Sequence, residues 1–133
     1  MTDELKRVMC VEDDDDIRMI LEFSLASVGG YEVLACTGGQ AALDRVAAFR
    51  PDLVLLDVMM PDLTGPETLV ALRALPVMRG VPVVFITAKA MPEEVERLLE
   101  HGATGVIVKP FDPVELPQQV RIYWEHGRGP GAR

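Results

Sequence analysis

Four short apolar runs, each stopped abruptly by polar residues, constrain this chain more than any other feature. Val8-Met9-Cys10-Val11 runs into Glu12 and Asp13, and Leu53-Val54-Leu55-Leu56 runs into Asp57. Val83-Val84-Phe85-Ile86 runs into Thr87, and Val106-Ile107-Val108 into Lys109. Unbroken apolar runs of this length suit strands buried on both faces, the setting of a parallel sheet covered by helices on either side. In an open α/β sheet the ligand crevice lies beyond the carboxyl ends of the strands, where the strand order reverses. The four endings therefore converge on one crevice holding two acids, an acceptor carboxylate, a hydroxyl and an ammonium. The carboxylate of Asp57 is its working group.

Helical patterns separate the apolar runs from end to end, the signature of repeated βα units. Five strands and five helices are expected, forming an α/β domain with a doubly wound parallel sheet. The chain of 133 residues has room for one such domain, over residues 1–126. Residues 127–133 have the Gly/Arg-rich composition of a flexible tail. Thr37-Gly38-Gly39-Gln40, Thr64-Gly65-Pro66-Glu67 and Asp112-Pro113-Val114-Glu115 each place a capping side chain three residues before Glu or Gln, and so mark helix starts. In the first helix, Ile17, Ile20, Leu21, Ser24, Leu25 and Val28 form the expected buried face. Met19, Phe23 and Ala26 form a second stripe, read as a contact with a neighbouring helix, such as the last one with Tyr123 and Trp124, or else as a partner-docking surface. Pro117 predicts a kink in the last helix, or a helix that properly begins there.

A formal charge of -8 argues against direct nucleic-acid binding and against an anionic membrane surface, both of which require a basic face. The start, from Met1 to Arg7, is polar and unlike a signal peptide, and no run approaches the roughly 20 apolar residues that span a bilayer. Cys10 and Cys36 both fall in apolar strand candidates and are read as core residues of a reducing, cytoplasmic compartment.

Each polar ending has an ordinary explanation when taken alone. An acidic run such as Glu12-Asp13-Asp14-Asp15-Asp16 fits a solvated helix entrance. Thr87 can simply end a strand, and Lys109-Pro110 can be a turn. Together, however, Val11-Glu12-Asp13-Asp14, Leu55-Leu56-Asp57-Val58-Met59-Met60-Pro61, Gly65, Ile86-Thr87-Ala88 and Val108-Lys109-Pro110-Phe111 resemble two-component response regulator receiver domains, of the single-domain, chemotaxis-regulator-like kind, over residues 6–126. The resemblance implies a flavodoxin-like (βα)5 receiver fold with strand order 2-1-3-4-5. It also implies phosphorelay signalling: a phosphoryl group taken from a histidine kinase or histidine phosphotransfer protein, and a changed surface offered to a downstream protein partner. Such a chain is no enzyme beyond its own Mg²⁺-dependent phosphorylation and dephosphorylation, and is expected to be a monomer or weak dimer.

The roles follow from phosphoryl-transfer chemistry, which needs alignment and charge neutralisation more than covalent participation. Asp57 is the expected nucleophile, becoming an acyl phosphate. Asp13 and Asp57 are expected to ligate Mg²⁺, with Glu12 acting through water. The resemblance adds the main-chain carbonyl of Met59 to that set and a cis Lys109-Pro110 bond. Lys109 supplies positive charge to the phosphoryl oxygens, and the Thr87 hydroxyl and Ala88 N–H donate to them afterwards. Met59 and Lys89 occupy the positions that, by resemblance, tune access of water to the acyl phosphate. His101 reads as a helix-end cap rather than a phosphohistidine donor.

The chain departs from the family at Val106, where an aromatic residue is common. The output is therefore expected to pass through loop movement without an aromatic rotamer switch. Two other classes fit less well. An aspartyl-phosphate phosphatase of the haloacid dehalogenase type requires a second Asp two residues after the nucleophile, where this chain has Met59. A flavin-binding protein of the same shape requires a phosphate loop where this chain has Glu12 and Asp13.

Overall fold

The computed structural model describes residues 4–127. Strands β1 (Arg7–Val11), β2 (Glu32–Cys36), β3 (Leu53–Asp57), β4 (Val83–Thr87) and β5 (Gly105–Val108) form one parallel sheet in the order β2-β1-β3-β4-β5. Helices α1 (Asp15–Phe23), α2 (Gly39–Phe49), α3 (Gly65–Arg73), α4 (Pro92–Glu100) and α5 (Leu116–Gly127) connect the strands or follow the last of them. This is the doubly wound α/β arrangement that the alternating pattern predicts. No helix among the described residues is long and apolar enough to cross a membrane.

Strand side chains alternate between two cores because the strand period is two. Met9, Val11, Val54, Leu56, Val83 and Phe85 pack with Ala42 and Val46 of α2, Leu69 and Leu72 of α3, and Leu98 of α4. Val8, Cys10, Leu53, Leu55, Val84 and Ile86 pack on the other face with Leu21, Leu25, Leu116, Val120 and Trp124 from the α1 and α5 side. Every residue of β3 and β4 is buried, as their unbroken apolar runs require. Cys10 and Cys36 belong to opposite cores, and burial pushes the Cys10 thiol up to about 12 and raises that of Cys36. Both are inert core residues, as expected.

Gly105 opens β5 where a side chain has no room. A Cβ there would lie 2.1 Å from the Tyr123 ring, whose hydroxyl donates to the Val106 carbonyl at 3.2 Å.

Several local expectations need correction. Ile20 and Val28 of the expected α1 face are exposed, whereas Leu21, Ser24 and Leu25 are buried. A π-helical turn at Ser24–Val28, closed by Gly29 N–H donating to the Ser24 carbonyl, lengthens the period and rotates Val28 outward. Met19 and Phe23 are not covered by the last helix: they stay 65% and 58% exposed, while Trp124 packs into the core. Asp112 does not open α5 with a capping box. Its carboxylate takes the Val114 N–H, and the helix starts at Leu116 with Pro117 in the first turn, where a missing N–H costs nothing. The helix also reaches Gly127, one residue beyond the expected boundary, and the remaining tail, 128–133, lies outside the described residues.

Thr64 caps α3 in the predicted box with Glu67. Thr37, by contrast, does not cap α2. Gly38 stands at that N-cap, and the Asp62 carboxylate of the β3–α3 loop accepts the N–H groups of Gly39 and Gln40 at 3.3 and 3.0 Å. These backbone bonds, chiefly that from Gln40, hold the Asp62 carboxyl below the usual range.

Asp62→Ala is expected to lower unfolding stability by at most about 1 kcal/mol, the scale of a lost cap on an exposed carboxylate. A group with a lowered folded pKa stabilises above its ordinary value and loses that contribution as pH falls through the lowered one. Urea unfolding should therefore show the gap at neutral pH and its closure in acid.

Candidate functional site

The carboxyl edge of the sheet gathers residues from four strands. Glu12 follows β1 and is 1% exposed, and the exposed Asp13 comes next. The rest of the acidic run does serve the helix entrance: Asp14 accepts the Ile17 N–H as the α1 cap, and Asp15 and Asp16 occupy the positive first turn. Asp57 ends β3 and is 3% exposed. One oxygen from each of Glu12, Asp13 and Asp57 falls within a cluster whose members all lie within 4.8 Å of one another.

Lys109 reaches this cluster from the end of β5. Its Nζ lies 3.1 Å from Asp57 Oδ1 and 3.0 Å from Glu12 Oε1. The contact to Asp57 is an aligned hydrogen bond; that to Glu12 is an ion pair, leaving the buried Oε1 with no hydrogen-bond partner. The Lys109 N–H donates to the Thr87 carbonyl at 2.8 Å, and the Lys109-Pro110 bond is cis, as the resemblance implies. Thr87 ends β4 with its side chain buried, and its hydroxyl oxygen accepts the Lys89 N–H at 3.1 Å. Ala88 is the exposed residue between them.

Gly65 sets the height of the β3–α3 loop. Its N–H donates to the Val58 carbonyl at 2.7 Å, and a Cβ would lie 2.5 Å from the Asp57 carbonyl oxygen. No side chain fits without moving the backbone of Asp57. Met59 stands in this loop with its side chain 71% exposed, and Val106 packs toward the core containing Phe85 with no ring in its place. His101 is the C-terminal cap residue of α4, as expected.

Burial raises the Asp57 carboxyl above its ordinary value, against the hydrogen bond and charge of Lys109 and with the charge of Asp13. Burial also raises Glu12, again against Lys109. Burial alone would lower Lys109, but its pairing with the two acids raises it. Three carboxylates thus face one ammonium. This charge excess, with a Glu12 oxygen that has an ion pair but no aligned hydrogen bond, fits a hard divalent cation held by oxygens, with Asp13 giving solvent access. Asp62 and Arg18, whose contacts support the loops around the site, escaped sequence analysis. The only available signal was a lone cation at position 18 just beyond an acidic run.

Residues 8–121 match the response regulator receiver domain family. The DNA-binding response regulator MtrA of Mycobacterium tuberculosis (strain ATCC 25618 / H37Rv) is 40% identical over 116 residues, covering 87% of this chain and 49% of MtrA. The chain thus spans about half the length of such curated relatives. The chemotaxis response regulator CheY4 of Vibrio cholerae superposes with a TM-score of 0.83 at 32% identity, covering 90% of this chain and 99% of that one. The receiver domain of the sensor histidine kinase PA1611 from Pseudomonas aeruginosa PAO1, solved with a magnesium ion coordinated in its active-site cleft, gives a TM-score of 0.80 at 28% identity, covering 92% and 99% of the two chains.

A carboxyl whose folded pKa is raised favours the fold most below its ordinary value and progressively less as pH rises through the raised one. In chelator at pH 7, Asp57→Asn should therefore be more stable than the native chain, because the amide carries no charge to bury. In urea melts the advantage should vanish in acid, where Asp57 is protonated, and shrink when Mg²⁺ is added.

Proposed function

The chain belongs to the response regulator receiver family, and we propose that it takes a phosphoryl group onto Asp57 from a histidine kinase or histidine phosphotransfer protein and thereby changes the surface it offers to a downstream protein. The observation that carries this reading is the buried Asp57 carboxylate, held by Lys109 at a strand end and clustered with Glu12 and Asp13. An Asp57 carboxylate oxygen attacks the phosphorus of a phosphohistidine. The P–N bond breaks, its electrons stay on the imidazole, whose other nitrogen already carries a proton, and an acyl phosphate forms. Asp13 and Asp57 would hold Mg²⁺ directly, Glu12 through water and Met59 through its main-chain carbonyl; bound there, the ion neutralises charge on the phosphoryl oxygens.

Lys109 has its ammonium in the crevice at rest and supplies a second positive charge without moving far. The Thr87 hydroxyl accepts the Lys89 N–H, so its own proton is free to turn toward a phosphoryl oxygen, and the Ala88 N–H joins it. Movement of the Thr87 side chain toward the phosphoryl group would break the hold on Lys89 and shift the β4–α4 loop, a population shift driven by new contacts. With Val106 in place of a ring, that loop carries the output. Met59 and Lys89 tune hydrolysis of the acyl phosphate, and no reaction beyond the chain's own phosphorylation and dephosphorylation is assigned.

The exposed apolar residues Met19, Ile20 and Phe23 of α1, of which Ile20 shares a hollow with Ala88 and Lys109, suit a protein donor. The acidic balance suits a cytoplasmic protein-binding role rather than direct DNA contact, as a monomer or weak dimer.

Intact-mass measurement after incubation with Mg²⁺ and acetyl phosphate tests the reading. A phosphoryl adduct that is lost in chelator, cleaved by hydroxylamine and missing from Asp57→Ala is expected. No adduct from acetyl phosphate or from a panel of phosphorylated histidine kinases would overturn it.

A further inference from the structure

Arg18 is the first cation after the acidic run, and its side chain is only 18% exposed. Its Nη1 donates to the main-chain carbonyls of Glu12 at 3.0 Å and Asp13 at 3.3 Å, and its Nη2 pairs with Asp15 Oδ1. Its own backbone N–H donates to the Asp14 carbonyl at 2.9 Å. One residue thus satisfies three successive carbonyls of the β1–α1 turn. The other side of the turn is closed by the Glu12 N–H on the Cys36 carbonyl and by the Asp14 N–H on Glu12 Oε2.

We propose that Arg18 is a positioning residue for the divalent-cation site: its guanidinium clamps the peptide between Glu12 and Asp13 and so presets their carboxylates toward Asp57. The inference rests on the cation site proposed above and assigns part of its affinity to a residue that does not touch the ion.

Two effects of Arg18 have opposite signs, which makes the claim decidable. Its positive charge repels a cation bound nearby, so deleting a mere charge would tighten Mg²⁺ binding. Deleting a clamp instead loosens it, because the turn must be ordered anew each time the ion binds, and lost supports of metal ligands typically cost about 10- to 100-fold in affinity. Lysine keeps the charge but has one nitrogen in place of the planar fork, so it cannot hold the two carbonyls as Nη1 does and Asp15 as Nη2 does at the same time.

The test is calorimetric titration of Mg²⁺ into the full chain and into Arg18→Ala, Arg18→Gln and Arg18→Lys, beside amide exchange over residues 12–16 in chelator. We expect affinity to fall about tenfold in all three variants, the lysine form included, with faster exchange over the turn while the core strands stay protected. Unchanged or tighter binding in Arg18→Ala, or full rescue by lysine, would overturn the inference. If Arg18→Ala fails to fold, the Gln and Lys variants decide it. A native chain that binds no Mg²⁺ would sink the cation site itself; exchange in chelator still judges the clamp, and rates unaltered in Arg18→Gln would overturn it.

Discussion

One ammonium shared by two buried carboxylates holds the working edge of this molecule together. Lys109 binds Asp57 at the end of β3 and Glu12 at the end of β1, while its own amide is tied to Thr87 at the end of β4. Four strand ends meet through this single residue. Remove its charge, and two acids would remain buried with no counter-charge beside them, a far costlier state than an exposed broken ion pair. The charge balance of the crevice follows from that constraint.

The same burial sets stability against chemistry. β1 and β3 lie between two apolar cores, which withdraw solvent from Glu12 and Asp57 and disfavour their charged forms. Withdrawal of solvent also strengthens every fixed charge that meets a phosphoryl group. The chain therefore carries an incompletely neutralised cluster at rest, a strain that sites of this kind exchange for reactivity. The loop that follows Asp57 is tied on two sides: Gly65 sits against the backbone of Asp57, and Asp62 fastens the same loop to α2.

Much of this was legible along the chain because it depends on short-range pattern. Asp57, Thr87 and Lys109 declare themselves by ending apolar runs, and Thr64 declares its helix because cap and partner are three residues apart. What stayed hidden depends on distance or on phase. Asp62 caps a helix that begins 23 residues earlier, so nothing beside Gly38 points to it. The outward turn of Val28 reflects a π-helical turn, which no count at 3.6 residues per turn anticipates. Asp112 looked like a cap because its spacing to Glu115 was right, yet Pro117 belongs in a first helical turn, and that requirement won.

The contact between Gly105 and Tyr123 has a consequence for how chains of this kind diverge. The ring occupies the space a side chain at position 105 would need, and its hydroxyl is spent on the next carbonyl along. Neither residue can be exchanged freely while the other remains: an added methyl at 105 collides with the ring, and a smaller residue at 123 leaves a furrow along β5. Descendants of this sequence are thus expected to keep Gly105 for as long as the ring stands at 123, so that the order of exchange on the sheet's outer strand runs from Tyr123 to Gly105 and not the reverse.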